Sequence, residues 1–314
     1  MGDSALTSLP SSEVGAVIVN WNTPELTLRA VASLLEDGVA ANRIVVVDNR
    51  SSDESASVLQ ASLPAGVILH VARENLGFAR ANNLGARALV DADPLLFLNS
   101  DAAVHRPGSV DALVRALRQA RTGIAVPKLL NEDLTAQRNV VALRTPGVAF
   151  AQATALARLV PNSRQPSWGT HWDHSSSRPI QSATGAVLAV RRDLWELLGG
   201  FNEEAHLFAE DHDLCWRARA SGWTTWFVAE AEFVHTGGAS TSSAFDAPER
   251  AHAVARAEAQ LMRRQLSPLR ATLSIRLLQI GHGARWVLSR ALRDRAKAAE
   301  HASFVRGFSR GRGS

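Results

Sequence analysis

The chain has few of the residues that disulfide-bonded or membrane-spanning proteins need. Its 314 residues include one cysteine, Cys215, and no tyrosine. A single cysteine excludes an internal disulfide and is typical of a reducing cytoplasm. Residues 1–13 are polar, and the apolar run 14–19 is too short for the core of a signal peptide. No stretch reaches the about 20 apolar residues of a membrane-spanning helix, so we expect a cytoplasmic chain.

Lysine is also scarce, since only Lys128 and Lys297 occur and arginine supplies the remaining positive charge. This charge is unevenly distributed. Residues 251–314 contain 13 basic and 3 acidic residues, a net charge of +10, whereas the first 250 residues have a net charge of −6. Because the larger part of the chain is acidic, nucleic acid is not expected as a partner.

Residues 249–300 are helical by composition, and Pro268 is expected to restart the helix. Apolar residues recur there at three- and four-residue spacing, which predicts one stripe: Leu269, Leu273, Leu277, Ile280, Ala284, Val287 and Ala291. The other faces carry arginines: Arg270, Arg276, Arg285, Arg290 and Arg293. A basic amphipathic helix either lies on an anionic membrane surface or packs on the main domain or a dimer partner, and both interpretations stay open. Residues 306–313 are expected to form a disordered tail.

The first part of the chain alternates buried strands with helices. Strands are predicted at 14–20, 43–48, 67–72 and 95–99, and helices at 24–36, after 51–54, and at 78–89. This alternation predicts an α/β fold with a doubly wound, mostly parallel sheet flanked by helices. Residues 129–180 have no sustained period, so loop-rich structure is expected there. A strand, two helices and a strand follow at 186–190, 191–198, 208–221 and 223–229.

Polar residues follow two of these strands, at the edge where open parallel sheets bind ligands. Asp48 either contacts a nucleoside or forms a turn with Asn49. Residues 20–24 lack the glycine-rich turn of a dinucleotide-binding fold, which excludes that class. The Asn-Ser-Asp run 99–101 either supplies an oxygen ligand to Mg²⁺ or Mn²⁺ or forms a simple turn.

Several carboxylates gather at the start of the predicted helix 208–221. Helical geometry places Glu210 and Asp213 on one face and Asp211 about 100° away. Asp213 precedes Arg217 by four residues, which predicts an ion pair. Asp211 lies at the positive end of the helix dipole, so it is a candidate general base, with a solvated helix start as the alternative.

A histidine and a group of aromatic residues are further candidates. His235 ends a strand before a Gly-Gly turn and is either a metal ligand or an ordinary histidine. The aromatic group can form a sugar-binding platform or close over the core: Trp168, His171, Trp172 and His174.

Seven blocks in a fixed order resemble family 2 glycosyltransferases, and most of all the bacterial rhamnosyltransferase-type members. The blocks are VIVNWNT (17–23), VVDNRSSD (46–53), ENLGFARANNLG (74–85), FLNSDA (97–102), GAVLAVRRDLWELLGGFNE (185–203), FAEDHDLCWRARASGW (208–223) and FVHTGG (233–238). The likeness covers about residues 14–240. It implies a GT-A domain at 1–240, with a nucleotide-binding half at about 14–127 and an acceptor half at about 128–240. A basic amphipathic helical extension would then occupy 241–314.

The resemblance also implies inverting transfer of a sugar from a nucleotide diphosphate donor, with L-rhamnose from dTDP-rhamnose as the subgroup's suggestion. The expected acceptor is a hydroxyl of a cell-envelope or exopolysaccharide glycan precursor, attached to a polyprenyl carrier. An acceptor of this kind would explain peripheral contact with the inner face of the cell membrane through the C-terminal helix.

Individual residues match the family's functional positions. The positions that hold the nucleoside are matched by Asn20, Asn22, Asp48 and Asn49. The block that lines the donor site contains Arg80 and Asn82. Asp101 matches the last acid of the Asp-x-Asp metal motif, and Asn99 stands in place of the first acid. His235 matches a histidine that completes the metal site in some members. Mn²⁺ or Mg²⁺ is therefore the expected cofactor. Asp211 matches the catalytic base of a Glu-Asp pair, and Glu210 is the other member.

Two alternatives remain. A nucleotidyltransferase would use a similar fold and metal carboxylate, but the chain lacks its glycine-rich phosphate loop with a lysine. A nucleotide-sugar-binding protein without turnover is supported only by Asn99 in place of an acid.

Overall fold

A mixed, mostly parallel sheet organises the part of the chain that the computed structural model describes. The described residues are 13–143, 145–154, 172–204, 209–237 and 246–309. The strands are β1 Gly15–Asn20, β2 Ile44–Asp48, β3 Ile68–Val71, β4 Leu95–Asn99, β5 Ala102–Val104, β6 Thr122–Leu130, β7 Ala136–Gln137, β8 Val140–Val141, β9 Arg178–Ile180, β10 Ser182–Ala183, β11 Val187–Val190 and β12 Thr224–His235. The helices are α1 Pro24–Glu36, α2 Ser55–Ser62, α3 Gly77–Arg87, α4 Ser109–Leu117, α5 Pro146–Thr154, α6 Arg192–Leu198, α7 Glu210–Ala220, α8 Ala247–Gln265, α9 Pro268–Ala291 and α10 Arg295–Gly307.

The main sheet has the strand order β3-β2-β1-β4-β11-β6-β12-β5, with β7 and β9 pairing onto β6 and β12. Strands β1, β2, β3 and β4 run parallel, and β11 is antiparallel to both β4 and β6. Apolar clusters cover both faces of the sheet. One includes residues of α1 and α4, and the other includes residues of α3, α6 and α7. Both faces are therefore buried, which explains the continuous apolar runs of the central strands and confirms the predicted fold class.

One central strand escaped prediction from the sequence. Strand β6 lies between β11 and β12 although Pro127 sits in its middle. Proline has no N–H to donate, and in sheets it is found at edges or bulges. Here the register of β12 shifts between Val228, opposite Pro127, and Glu232, opposite Lys128. The irregularity therefore falls where the donor is missing. Helix α5 also lies within the segment 129–180 that was expected to be loop-rich.

The C-terminal helices α8, α9 and α10 share an apolar cluster with α5, to which Ala149 of α5, Ile275 of α9 and Phe308 belong. Two glycines allow close approach. A Cβ on Gly281 of α9 would lie 2.7 Å from the Cα of Ala153, and one on Gly307 would lie 2.4 Å from the carbonyl oxygen of His252. Helix α9 starts at Pro268 as predicted.

The predicted tail and domain boundary are only partly covered by the described residues. The tail was expected to begin at 306, but α10 continues through Gly307, and Phe308 is buried because it packs into the helical cluster. Residues 310–314 and the predicted boundary at 240/241 lie outside the described residues. Among the described helices, none combines the length and apolarity required to cross a membrane.

Candidate active site

The carboxyl ends of β1 and β2 are joined by a buried polar network, here called the strand-end network, formed by Asn20, Asp48 and Ser51. Asn20 donates from Nδ2 to Asp48 Oδ1 at 2.8 Å and to Ser51 Oγ at 3.1 Å. Ser51 donates to Asp48 through both its hydroxyl, at 2.5 Å, and its backbone N–H, at 3.2 Å. Asn20 is 0% and Asp48 1% exposed. Most of the hydrogen-bonding capacity of these two side chains is thus used within the protein.

Asn22 and Asn49 hold the loops around this network. Asn22 adopts a positive φ of 56°, and its Oδ1 accepts from the backbone N–H of Ser52 at 2.8 Å. Asn49 accepts at Oδ1 from the N–H of Leu76 at 2.8 Å and donates to Asn75 at 3.1 Å. The two asparagines therefore fix the loops after β1, β2 and β3 relative to one another.

Helix α3 places its predicted donor-site residues in different environments. Arg80 is half-exposed and pairs with Glu74 at 3.4 Å. Asn82 is buried and donates to the carbonyl oxygen of Phe78 at 3.0 Å, so its amide is engaged within the helix. The next residue, Asn83, binds the backbone of Phe201 through both amide atoms at 2.9 Å. Asn83, which the sequence interpretation did not single out, thus anchors the Gly-Gly-Phe turn.

Asp101 and His235 come together although 134 positions separate them in the sequence. Strand β5 pairs antiparallel with the end of β12, which places His235 opposite Ala102, directly beside Asp101. His235 Nε2 lies 3.2 Å from Asp101 Oδ1, and both side chains are largely buried. The structure therefore brings the two predicted metal ligands into one pair.

The orientation of His235 is set by Gln137 on β7. The amide nitrogen of Gln137 donates to the carbonyl oxygen of His235 and to Asn131 Oδ1, each at 3.0 Å. Its Oε1 must then face His235 Nδ1, which lies 2.7 Å away. Nδ1 accordingly carries a proton, and Nε2 faces Asp101, where its lone pair is available to a cation shared with that carboxylate when the imidazole carries no second proton. Metal-binding histidines are commonly held by such a second hydrogen bond.

The pair fits a divalent cation as a partial ligand set. Asp101 would supply an oxygen and His235 a nitrogen, and Asn99 Oδ1 is a buried oxygen without a hydrogen-bond partner among the described residues. The described residues contain no group of three or more His, Cys, Asp or Glu side chains arranged to hold a metal. A cation held here would therefore take its remaining ligands from substrate or water, as Mg²⁺ commonly does.

Asp211, in the first turn of α7, is positioned by backbone groups. The N–H of Gly185 donates to Asp211 Oδ2 at 2.6 Å, and the N–H of His212 donates to Oδ1 at 2.7 Å. The side chain of Asp211 is 15% exposed. Glycine at 185 permits this approach, since a Cβ there would lie 3.1 Å from the Cβ of Asp211.

Hydrogen bonds connect this carboxylate with the turn that contains Asp101. The neighbour of Gly185, Ala186, accepts at its carbonyl oxygen from the N–H of Asn99 at 2.9 Å. Asn99 is two residues before Asp101, so β4 and the segment before β11 place Asp211 and the Asp101–His235 pair at the same sheet edge. Glu210, by contrast, is buried and accepts from the N–H of Ala209 at 2.9 Å.

The other acidic residue of α7 has the structural role that its spacing predicted. Asp213 is buried and binds Arg217 Nε at 2.6 Å, and Arg217 also donates to the carbonyl oxygens of Leu198 and Gly200. This ion pair ties α7 to the end of α6.

Most of the chain matches one protein-family model. The family model described as "Glycosyltransferase like family 2" matches residues 10–257, which include the strand-end network, the Asp101–His235 pair and Asp211. The chain belongs to glycosyltransferase family 2.

Two curated proteins are similar in sequence to this family 2 glycosyltransferase. It is 27% identical over 216 residues to the N-acetylglucosaminyl-diphospho-decaprenol L-rhamnosyltransferase of Mycobacterium tuberculosis, covering 61% of this chain and 66% of that enzyme. It is 26% identical over 226 residues to the O-antigen biosynthesis protein RfbC of Myxococcus xanthus, covering 71% of this chain and 17% of that protein. The chain thus spans just under two thirds of the mycobacterial enzyme and a small part of the Myxococcus protein.

Solved structures establish the fold type. The mannosyltransferase PcManGT from Pyrobaculum calidifontis, solved with GDP-Man and Mn²⁺, superposes with a TM-score of 0.59 at 17% identity, covering 96% of this chain and 87% of that one. The mostly parallel sheet with added C-terminal helices is a GT-A glycosyltransferase fold.

Two other features of this family 2 glycosyltransferase are structural. Trp172 packs against Phe227 with ring centroids 4.7 Å apart and is buried, as is His174 stacked on it. Trp172 and His174 therefore close over the core, and Trp168 and His171 lie outside the described residues. Cys215 is fully buried in α7, and burial raises the pKa of its thiol to about 11, so it stays protonated and unreactive.

Proposed function

We propose that this family 2 glycosyltransferase transfers a sugar, with inversion, from a nucleotide diphosphate donor to a hydroxyl group of a lipid-linked glycan. One observation carries the proposal. The hydrogen bonds from Asn99 to Ala186 and from Gly185 to Asp211 hold a carboxylate and a cation-ligand pair at one edge of the sheet. Displacing a diphosphate with an alcohol requires these two groups, a base for the alcohol and a site for the leaving charge.

Asp211 is proposed as the general base. Its two oxygens each accept one backbone N–H, which fixes the carboxylate and leaves lone pairs free for the acceptor hydroxyl. As the hydroxyl oxygen attacks the anomeric carbon, Asp211 takes the hydroxyl proton. A single base suffices for this one-step inversion. Glu210 is proposed to support the turn rather than to touch substrate, because it is buried against the backbone of Ala209.

Asp101 and His235 are proposed to hold Mn²⁺ or Mg²⁺. A cation bound there would neutralise charge on the donor diphosphate as that group departs. Gln137 keeps the Nε2 lone pair of His235 directed at the site through the bond to Nδ1. Asn99 Oδ1, buried and without a hydrogen-bond partner among the described residues, is proposed as a third, uncharged ligand.

The nucleoside is proposed to rest against the loops that the strand-end network holds, with Asn22 and Asn49 shaping the surface. Asp48 has free capacity only at Oδ2, which accepts a single bond from Ser51. We propose Arg80 as a mobile contact to the donor, since it is half-exposed. Asn82 would act only indirectly, through the conformation of α3.

The donor is proposed to be dTDP-L-rhamnose and the acceptor a polyprenyl-diphosphate-linked sugar of a cell-envelope or exopolysaccharide pathway. The support is the likeness to the mycobacterial rhamnosyltransferase, whose name gives N-acetylglucosaminyl-diphospho-decaprenol as its substrate. We place this reaction at the cytoplasmic face of the cell membrane.

A thermal-shift and calorimetry screen tests the donor. The full chain is incubated with dTDP, UDP or GDP, with and without Mn²⁺, and then with the corresponding nucleotide sugars. We expect Mn²⁺-dependent binding, strongest for dTDP and dTDP-rhamnose. Transfer is then measured with N-acetylglucosaminyl-diphospho-decaprenol as the acceptor. If a folded sample binds none of the nucleotides, the proposal is wrong. Binding without transfer to any polyprenyl-linked acceptor would favour the binding-protein alternative.

A further inference from the structure

Helix α9 has two apolar faces, and one of them is used for packing. Its inner face includes Ala271, Ile275 and Leu278, all buried in the cluster shared by the C-terminal helices and α5. Gly281 belongs to the same face and contacts Ala153 of α5. This side of the helix accounts for the attachment of α9 to the rest of the molecule.

The outer face of α9 is also apolar, although it is exposed. At 100° per residue, Leu269, Leu273, Ile280 and Val287 fall within about 40° of one another, opposite the inner face. These four residues are called the outer stripe. Their exposed fractions are 79%, 48%, 67% and 59%. Leu288 and Leu292, at the C-terminal end, are also exposed but lie outside the outer stripe by helical geometry. The stripe predicted from the sequence is therefore mainly the face directed away from the packed cluster, except for Leu277, which is partly buried and packs against that cluster.

Arginines flank the outer stripe, and α9 contains no acidic residue. Arg270, Arg276 and Arg290 are exposed, on both sides of the stripe by helical geometry. Trp286 lies outside the stripe by helical geometry, with the Arg290 guanidinium 5.5 Å from its ring centroid. Arg285 differs, because it is turned inward and donates to the carbonyl oxygen of Gln152 on α5.

We propose that the outer stripe is a docking surface for an anionic lipid bilayer, with α9 lying in the plane of the membrane surface. Exposed leucine, isoleucine and valine would enter the boundary between headgroups and acyl chains. The flanking arginines would meet anionic headgroups, an arrangement typical of helices that lie at membrane interfaces. Two copies of the same basic surface would repel each other, so charge favours lipid over a second copy of this chain. The inference uses α9 alone and is independent of the proposed donor.

Vesicle flotation with the full chain tests the proposal. The probes are vesicles of phosphatidylcholine alone and of phosphatidylcholine with phosphatidylglycerol, at low and high salt. We expect binding to the phosphatidylglycerol vesicles that weakens at high salt. The double variant Leu273→Glu and Ile280→Glu should lower the bound fraction by about tenfold or more, because it places two charges in the apolar contact.

A matched control carries the same change in charge elsewhere. Val90→Glu with Leu197→Glu replaces two exposed apolar residues far from α9 in the sequence and should leave vesicle binding unchanged. Thermal unfolding and light scattering are recorded for both variants. Vesicle binding that is equal for the folded stripe variant and the wild-type chain would overturn the proposal. So would a wild-type dimer that the stripe variant dissociates, with no vesicle binding by either, because the occupant would then be a second copy.

Discussion

Two polar clusters lie at the carboxyl edge of the same sheet, and they differ in how fully their hydrogen bonds are used. In the strand-end network, Asp48 is 1% exposed and accepts three hydrogen bonds from Asn20 and Ser51. The second cluster contains Asp211, Asn99 and the Asp101–His235 pair. Within the described part of the chain, Asp211 accepts two backbone N–H groups, with His212 Nδ1 3.7 Å from its Oδ1, and Asn99 Oδ1 has no hydrogen-bond partner. The first cluster is largely satisfied by the protein itself, whereas the second retains capacity for a ligand.

This difference predicts that the strand-end network determines loop conformation and that the second cluster takes part in the reaction. A carboxylate whose hydrogen bonds are all made within the protein fixes the conformation of the loops around it. Its removal should mainly lower the free energy of unfolding. A fixed carboxylate with free lone pairs can accept a proton or a cation, and its loss is felt first as lost turnover. The two clusters should therefore respond to matched substitutions in opposite ways.

The largest effect is expected for Asp211→Asn. Asparagine keeps an acceptor oxygen for Gly185 but cannot take a proton, so the transfer rate should fall roughly 100- to 10,000-fold. Donor affinity, measured by calorimetry, should stay close to wild type. The melting temperature should fall modestly, because the amide nitrogen cannot accept from the N–H of His212. Asp91→Asn, at an exposed position, is the control and should change none of these quantities. Unaltered turnover in Asp211→Asn would exclude this residue as the base.

Asp48→Ala should show the reverse pattern. Three hydrogen bonds lose their acceptor in a buried site, so the free energy of unfolding should fall by roughly 3 kcal/mol. Chemical denaturation measures this change, and Asp91→Ala is the matched control. Nucleotide affinity should fall together with stability because the loops lose their shape. A stable Asp48→Ala protein that cannot bind nucleotide would instead make Asp48 a direct ligand contact and remove the contrast between the clusters.

Gln137→Leu sharpens the comparison within the second cluster. Without the acceptor at Nδ1, His235 can rotate or adopt the other tautomer, so Mn²⁺ affinity should fall about 10- to 100-fold. The apparent KM for the donor should rise at low Mn²⁺ and recover at saturating Mn²⁺. Gln60→Leu, an exposed position on α2, is the control. An unchanged Mn²⁺ affinity would show that His235 is oriented without Gln137.

The smallest effect concerns His174, which is buried and stacked on Trp172. Burial lowers its pKa, so the folded state disfavours the proton that the unfolded state takes up. Stability should therefore be lost as the pH falls from about 7 to about 5. His174→Asn tolerates the positive φ of 57° and does not titrate, so its melting temperature should vary less with pH. The exposed His70→Asn should retain the wild-type slope, and an equal slope in both variants would contradict the prediction.

The sequence predicted what local patterns can encode. Branched apolar runs marked β1, β2 and β4, and the four-residue spacing of Asp213 and Arg217 predicted their ion pair. The family resemblance implied that Asp101 and His235 belong to one site, and the pairing of β5 with β12 brings the two residues together in the structure. These features depend either on short-range geometry or on ordered blocks that a family shares.

Contacts of long sequence separation were not predictable in the same way. Gln137 stands 98 positions from His235, in a segment without a recognisable pattern. Asn83 stands 118 positions from Phe201, and although both belong to recognisable blocks, local spacing does not encode their contact. Pro127 concealed β6, because a proline in this central strand is accommodated only by the register shift in β12, a different strand. The direction of the outer stripe was equally undetermined, since α9 is apolar on both faces and only packing decides which one is covered.

The burial of Cys215 has a practical consequence for experiments on this enzyme. Its thiol is fully buried and its pKa is about 11, so maleimide reagents at neutral pH will not reach a reactive thiolate in the folded chain. A cysteine introduced on α9 would therefore be the single labelling position without prior removal of the native one. A fluorophore attached there can report in real time whether the helix meets a bilayer and whether nucleotide changes that encounter.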